Sequence, residues 1–174
     1  AQKTAQAFAK ILNSAGVNFA VLGKMERCTG DAARRAGNDA LYFELATGNV
    51  ETLNEVKPKR IVTTCPHCLH TLATEYPAFG GNYTVIHHTQ LVKQLIDAGK
   101  LKVQGGEFKG KKITYHDACY LGRGNDVYEA PRIVIQNLNA ELAEMKRSRQ
   151  DGLCCGAGGA QMFKEPEKGN KDIN

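Results

Sequence analysis

The sequence has no tryptophan, only three methionines and five prolines in 174 residues. It contains no apolar run near the roughly 18 residues of a membrane span, so no membrane-crossing helix is expected in it. Its first residues lack the basic-then-apolar layout of an export signal. The 23 Lys and Arg against 18 Asp and Glu give a net charge of +5, and the cations are not gathered into dense blocks. Nor are aromatic residues interleaved with basic ones, as a nucleic-acid platform would require. No nucleic-acid partner is therefore expected. Gly105-Gly106 and Gly122-Arg123-Gly124 lack the strand–glycine–helix spacing of a phosphate loop. With 42% apolar and 24% charged residues, the composition is that of an ordinary globular domain with its own core. That excludes a disordered tail and a staple-dependent miniprotein.

What the sequence does have is six cysteines: Cys28, Cys65, Cys68, Cys119, Cys154 and Cys155. A disulfide framework is the plainest reading of an even number, but a domain of this length does not need one. Cys154 and Cys155 are neighbours, far from relaxed disulfide geometry. Inert buried thiols would explain single cysteines, not a Cys-x-x-Cys and a Cys-Cys pair. Cys65-Pro66-His67-Cys68 follows the β-branched run Arg60 to Thr64 and opens a helical pattern at Leu69, Leu72 and Ala73. A helix N-terminus stabilises thiolate through its dipole and free N–H groups. The same setting serves a redox dithiol, a zinc site or an iron–sulfur centre. The motif alone leaves these open, but a dithiol enzyme of thioredoxin type has no use for the other four cysteines.

A weak internal repeat runs through the chain. Ala5 to Leu12 reads as a helix, Val17 to Leu22 as a strand, and a polar loop leads to Cys28-Thr29-Gly30. Ala130 to Leu138 is again helical, with Pro131 suited to its first turn. Ala140 to Met145 stands in the strand position, and a loop leads to Cys154-Cys155-Gly156. Cys28 thus matches Cys154, Thr29 matches Cys155 and Gly30 matches Gly156. By the same register, a partner for Cys119 would precede the first residue, and partners for Cys65 and Cys68 would follow the last. The chain is expected to be the middle of a longer protein, with two half-repeats, 1–104 and 111–174, each lacking part of its cysteine set.

The segments Glu26-Arg27-Cys28-Thr29-Gly30-Asp31, Thr63-Thr64-Cys65-Pro66-His67-Cys68, Tyr115-His116-Asp117-Ala118-Cys119-Tyr120-Leu121-Gly122-Arg123 and Leu153-Cys154-Cys155-Gly156-Ala157-Gly158-Gly159 together resemble the cysteine-rich CCG domain. Val85-Ile86-His87-His88-Thr89 fits as well. That domain occurs in heterodisulfide reductase catalytic subunits and related iron–sulfur proteins. The nearest branch is similar to membrane-linked members that pass electrons between electron-transfer flavoprotein and quinone. Glycolate and lactate oxidase iron–sulfur subunits are more distant. The resemblance implies that five cysteines of a full motif hold a non-cubane [4Fe–4S] cluster. In the first motif Thr29 replaces one of the paired cysteines, leaving the four-cysteine count of an ordinary cubane. A cubane is therefore expected at Cys28, Cys65 and Cys68 plus one absent residue. A non-cubane or otherwise unusual cluster is expected at Cys119, Cys154 and Cys155.

The implied function is an iron–sulfur electron-transfer component of a larger oxidoreductase. Its partners would be other domains or subunits, an electron-transfer flavoprotein or dehydrogenase on one side and quinone or disulfide on the other. Two alternatives remain: a structural zinc module, with zinc at one or both sites, and a thiol–disulfide oxidoreductase using Cys65 and Cys68. Thiolate ligands that must stay reduced imply a cytoplasmic setting, with any membrane attachment supplied outside this chain. Gly30 and Gly156 would let backbone N–H groups approach sulfur, since no Cβ intervenes. Lys24, Arg27, Arg34, Arg35, Arg123, Arg147 and Arg149 lie near the cysteine loops and could offset thiolate charge. Of the five histidines, His87 and His88 end a strand and should alternate faces. His67 should point away from its flanking thiols, and His116 or His87 is a candidate hydrogen-bonding or proton-handling group.

The element order predicts an α/β fold of mostly parallel sheet flanked by helices, in two pseudo-repeated cysteine-rich halves. Helices are expected over 3–15, 32–47, 49–56, 66–75, 89–98, 130–138 and after Cys155. Strands are expected over 17–22, 59–64, 83–87, 112–116 and near 140–145. Gly16 and Gly99 punctuate helix ends, Thr89 is the expected N-cap of the helix that follows, and 164–174 is expected to be a frayed polar tail. Cys65 and Cys119 would then stand at the carboxyl rim of the strands, where open α/β sheets place their sites.

Overall fold

The computed structural model describes residues 2–103, 106–163 and 165. The expected boundary at residue 104 and nearly all of the expected polar tail lie outside the described residues. Six helices and four short strands follow in order: α1 (Gln2–Ser14), α2 (Asp31–Arg35), α3 (Asp39–Val56), β1 (Ile61–Thr63), α4 (Pro66–His70), β2 (Val85–His87), α5 (His88–Asp97), β3 (Lys112–Ile113), α6 (Glu129–Asn137) and β4 (Glu141–Leu142). The strands pair in parallel as β1–β2 and β3–β4. Helices and short parallel strands are what the α/β expectation requires.

Several boundaries differ from expectation, each for a local reason. The stretch 17–22 forms no strand: among the described residues no strand lies alongside to pair with it. Val17 packs against the Leu12 cluster, and Leu22 against the Tyr42 cluster, while Phe19 and Val21 face solvent. The helix break expected at Gly48 falls instead at Gly37-Asn38. Gly37 has φ +80, and the Asn38 side chain accepts from the Leu41 N–H at 3.1 Å as N-cap. Gly48 stays helical because its cost of about 1 kcal/mol relative to Ala is outweighed by burial of Ala46, Val50 and Leu53 on the same helix. The helix expected over 66–75 is α-helical only to His70. A π-turn over Thr71–Glu75 and a 3₁₀ turn over Tyr76–Phe79 follow. After Cys155 there is only a 3₁₀ turn, Gln161–Phe163, among the described residues.

Three apolar clusters hold these elements. Tyr42, Ala46, Val50, Leu53, Leu72 and Tyr76 join α3 to the turns after α4. Leu12, Ala15, Leu91 and Leu95 join α1 to α5. Leu69, Leu121, Val127 and Ala130 join α4 to the loop after Cys119 and to α6. Beside the third cluster lies a buried ionic knot. Arg132 on α6 donates to both Asp117 oxygens at 2.7 and 2.8 Å and to both Glu144 oxygens at 2.6 and 2.9 Å. Asp117 also accepts from the Arg149 backbone N–H at 2.6 Å. The Arg132 guanidinium holds the Asp117 carboxyl below its usual range. Removing one partner of such a pair leaves an uncompensated buried charge. Arg132→Met is expected to cost about 3–5 kcal/mol, read as a lower denaturant midpoint at pH 7.

Candidate metal centre

All six cysteines are free thiols; Cys28, Cys154 and Cys155 are exposed and the others half-buried. Cys65 is the N-cap of α4, with Pro66 in the first turn. Its N–H donates to Thr63 Oγ1 at 3.1 Å, which fixes the turn out of β1. Its pKa falls to about 5, chiefly because the Cys68 thiol donates to its sulfur and the Cys68 and His67 backbone N–H groups face it. Cys68, as that donor and half-buried, is pushed up. Cys65 is therefore the more acidic sulfur of the pair.

The Cys28 loop comes to the same place. The Thr29 hydroxyl donates to Cys68 Sγ at 3.4 Å, joining segments far apart in sequence. The Cys28 carbonyl accepts from Asn49 Nδ2 at 2.9 Å, and the Thr29 carbonyl from the Tyr76 hydroxyl at 3.1 Å. The Gly30 N–H turns back on Cys28 Sγ at 3.4 Å. That turn needs φ +85, and a Cβ on Gly30 would meet the Tyr42 ring at 2.9 Å, so glycine is required here. Asp31 follows at once. It accepts from His67 Nδ1 at 2.8 Å, from Arg35 Nε at 3.2 Å and from Thr71 Oγ1 at 3.5 Å, which ties the Cys28 loop to the Cys-x-x-Cys helix.

The second set is laced in a parallel manner. Cys119 lies in a tight loop closed by the Gly124 N–H on its carbonyl at 3.0 Å. His116 Nε2 donates to the Leu153 carbonyl at 2.8 Å, and Arg123 to the Gln150 and Gly152 carbonyls at 2.9 and 2.8 Å. These bonds and the Asp117–Arg149 contact bind the Cys119 segment to the one carrying Cys154 and Cys155. The Gly156 N–H turns back on Cys154 Sγ at 3.4 Å with φ +79, the same turn as at Cys28.

Other sequence expectations fare unevenly. The expected cation effect is largely taken up inside the chain: Arg34 and Arg35 pair with Glu75, Arg35 also with Asp31, and Arg149 with Glu129. Arg123 and Arg147 go to backbone carbonyls. The hydrogen-bonding role expected of His116 is present. His87 and His88 do not alternate faces, because β2 ends at one and α5 begins at the other; their rings lie 4.2 Å apart. His87, not Thr89, is the N-cap, in a capping box with Gln90. Its Nδ1 meets Thr89 Oγ1 at 2.7 Å and its Nε2 meets the Thr64 carbonyl at 3.3 Å. Thr29, Asp31, Asn49 and Tyr76 were not legible as site residues, since each acts across a long sequence gap.

The donor chemistry fits a thiolate-held iron–sulfur centre: sulfur donors come from separate loops, and an N–H or O–H is turned toward the sulfur of Cys28, Cys68 and Cys154. Among the described residues no group of three or more His, Cys, Asp or Glu side chains is close enough together to hold a metal ion, the two cysteine sets included.

Two titrations test this electrostatic picture. In the reduced, metal-free chain at pH 7, Cys65 should alkylate first, with its rate falling as pH drops through about 5; mass mapping of the label checks it. Burial, then neighbouring His88, lowers His87 to about 4. The folded state holds His87 neutral while the unfolded chain protonates it below about 6.5. Stability should therefore fall as pH drops from about 6.5 toward 4, and His87→Asn, which can still cap a helix, should flatten that fall in denaturant midpoints.

The chain matches the family model described as "Cysteine-rich domain" (CCG) over residues 1–73 and 113–173. It is 43% identical over 171 residues to the EtfAB:quinone oxidoreductase of Syntrophomonas wolfei, covering 98% of this chain and 24% of that protein. It is 46% identical over 171 residues to the probable iron–sulfur-binding oxidoreductase FadF of Bacillus subtilis, with the same 98% and 24% coverage. Over 160 residues it is 39% identical to a subunit of the dihydromethanophenazine:CoB–CoM heterodisulfide reductase of Methanosarcina barkeri, covering 88% of this chain and 39% of that protein. The chain thus spans about a quarter of the length of the first two relatives. No solved structure matches it. With four cysteine-bearing segments drawn together in pairs and the family model matched on either side of the 74–112 stretch, the chain belongs to the cysteine-rich CCG domain family.

Proposed function

We propose that this chain is the iron–sulfur electron-relay module of a larger oxidoreductase, holding one centre at Cys28, Cys65 and Cys68 and a second at Cys119, Cys154 and Cys155. The observation that carries the reading is the turn shared by the two sets: Gly30 N–H on Cys28 Sγ and Gly156 N–H on Cys154 Sγ, both at 3.4 Å. That recurrence, and the separate family matches over 1–73 and 113–173, support reading the chain as two half-repeats, each completed by cysteines elsewhere in a parent protein. Thr29 in place of a paired cysteine favours a cubane at the first set; the Cys154-Cys155 pair favours a non-cubane cluster at the second.

An iron–sulfur cluster would supply one-electron storage and transfer. The chain's own residues set the conditions for it. The start of α4 and the neighbouring Cys68 favour the ionised form of Cys65. The Gly30 and Gly156 amides and the Thr29 hydroxyl donate to sulfur, which stabilises added negative charge and raises the potential. Asp31 and Asp117 keep the two loops in register with α4 and α6. The relatives' names point to electron-transfer flavoprotein, quinone and disulfide as reaction partners of the whole protein. No helix among the described residues is long and apolar enough to cross a membrane; any membrane attachment of the parent would come from regions outside this chain.

A second reading rests on one observation: Cys65 stands at the start of the helix that carries Cys68, with Cys65 lowered and Cys68 raised from the ordinary thiol range, as a thiol–disulfide oxidoreductase also needs. Cys119→Ser separates the two. In the anaerobically purified parent, the relay reading expects Mössbauer and EPR signals of the second centre to disappear and electron flow to fall at least tenfold. A dithiol enzyme would keep full activity. A wild-type protein with zinc or no iron–sulfur signal would overturn the relay.

A further inference from the structure

The two cysteine sets meet at a pair of rings. His67, between Cys65 and Cys68, stacks on Tyr120, next to Cys119, with centroids 4.0 Å apart and planes 27° apart. Asp31, three residues beyond Cys28, fixes the His67 ring through Nδ1 at 2.8 Å. Arg35 lies over the opposite partner, 5.7 Å from the Tyr120 centroid, and His70 meets that ring edge-on at 5.5 Å. From the remaining segment, a Cβ on Gly158 would lie 3.6 Å from His67 Cε1, three residues past Cys155. Three cysteine-bearing segments therefore meet at His67 and Tyr120, and the fourth passes beside them at Gly158. Leu69 and Leu121 also share an apolar cluster, but it involves only two of the four segments.

We propose that the His67–Tyr120 stack is the positioning contact that couples the two cysteine sets, so that the electronic state of one is felt at the other. The inference rests on the relay reading above. Neither ring is a ligand in it. Tyr120 acts by orienting Cys119 against the helix that carries Cys65 and Cys68. His67, pinned by Asp31, carries the Cys28 loop into the same contact. The coupled quantity is the partition of one electron between the two centres: one is oxidised as the other is reduced, and no further reagent enters.

The test uses the full-length parent protein, with Tyr120→Phe keeping a ring and Tyr120→Leu keeping only apolar bulk. Redox titration followed by EPR reads both centres. With Leu, the partition should shift at least about tenfold, which is about 59 mV for one electron. The first centre's signal should change although its own cysteines are untouched. Phe should stay within about twofold of wild type. A Leu variant that moves only the second centre, or a Phe variant that behaves like Leu, overturns the proposal.

Alkylation of the reduced, metal-free protein is the second readout. Leu should raise labelling of Cys119 and Cys68 together severalfold, and Phe should not; labelling of Cys119 alone would overturn the coupling. If the wild type carries no iron–sulfur signal, the relay reading fails and labelling alone decides whether the rings couple the two sets. If Tyr120→Leu does not fold by circular dichroism, His67→Gln removes the other ring and should give the same paired changes; their absence has the same overturning force.

Discussion

Two carboxylates, Asp31 and Asp117, hold the cysteine loops where they are. Each lies a few residues from a cysteine and is buried. A buried carboxylate is costly unless its oxygens are answered by donors. Here donors come from the other cysteine-bearing segment of each set, His67 and Thr71 for Asp31 and the Arg149 backbone for Asp117, with Arg132 of α6 adding to the latter. Satisfying each carboxylate therefore forces two distant loops together. The sulfur geometry depends on this more than on the strands, which are only two or three residues long.

The charge on sulfur is answered mainly by short-range dipoles. Glycine amides and a threonine hydroxyl donate at 3.4 Å, and the start of α4 faces Cys65. Arginines nearby are paired with carboxylates or carbonyls. This division has a physical advantage: amide and hydroxyl donors are fixed by the backbone and add no net charge, whereas a mobile guanidinium would be screened at the exposed rim. The same logic explains why glycine follows both Cys28-Thr29 and Cys154-Cys155. A left-handed residue is needed to turn the N–H onto sulfur, and at Gly30 the Tyr42 ring leaves no room for a side chain.

The rings of His67 and Tyr120 extend this arrangement from one set of cysteines to the other. Each ring comes from the middle or the edge of a cysteine motif, so the same short segments that offer sulfur also offer the contact between sets. Leu69 and Leu121, one and two positions beyond Cys68 and Cys119, belong to one buried apolar cluster. The cysteine loops are thus anchored by burial on one side and present sulfur on the other.

Much of this was legible in the amino-acid order. Helix positions came within a few residues where apolar spacing and caps were strong, as for α1, α5 and α6. The start of α4 at Cys65 followed from a β-branched run ending in Cys-Pro-His-Cys. Six cysteines, two of their motifs followed closely by glycine, suggested metal chemistry, because in those motifs a sulfur and the N–H that turns onto it sit within two residues of each other. Tertiary structure decided the rest. The stretch 17–22 has a strand's pattern but no neighbour to pair with, and a strand exists only by its partner. His87 and His88 share a face because a helix begins between them. The pairings of Thr29 with Cys68, Asp31 with His67 and His67 with Tyr120 join residues whose separation in sequence carries no trace of contact. They form because buried polar groups must find donors, and only the folded chain determines which donors are within reach.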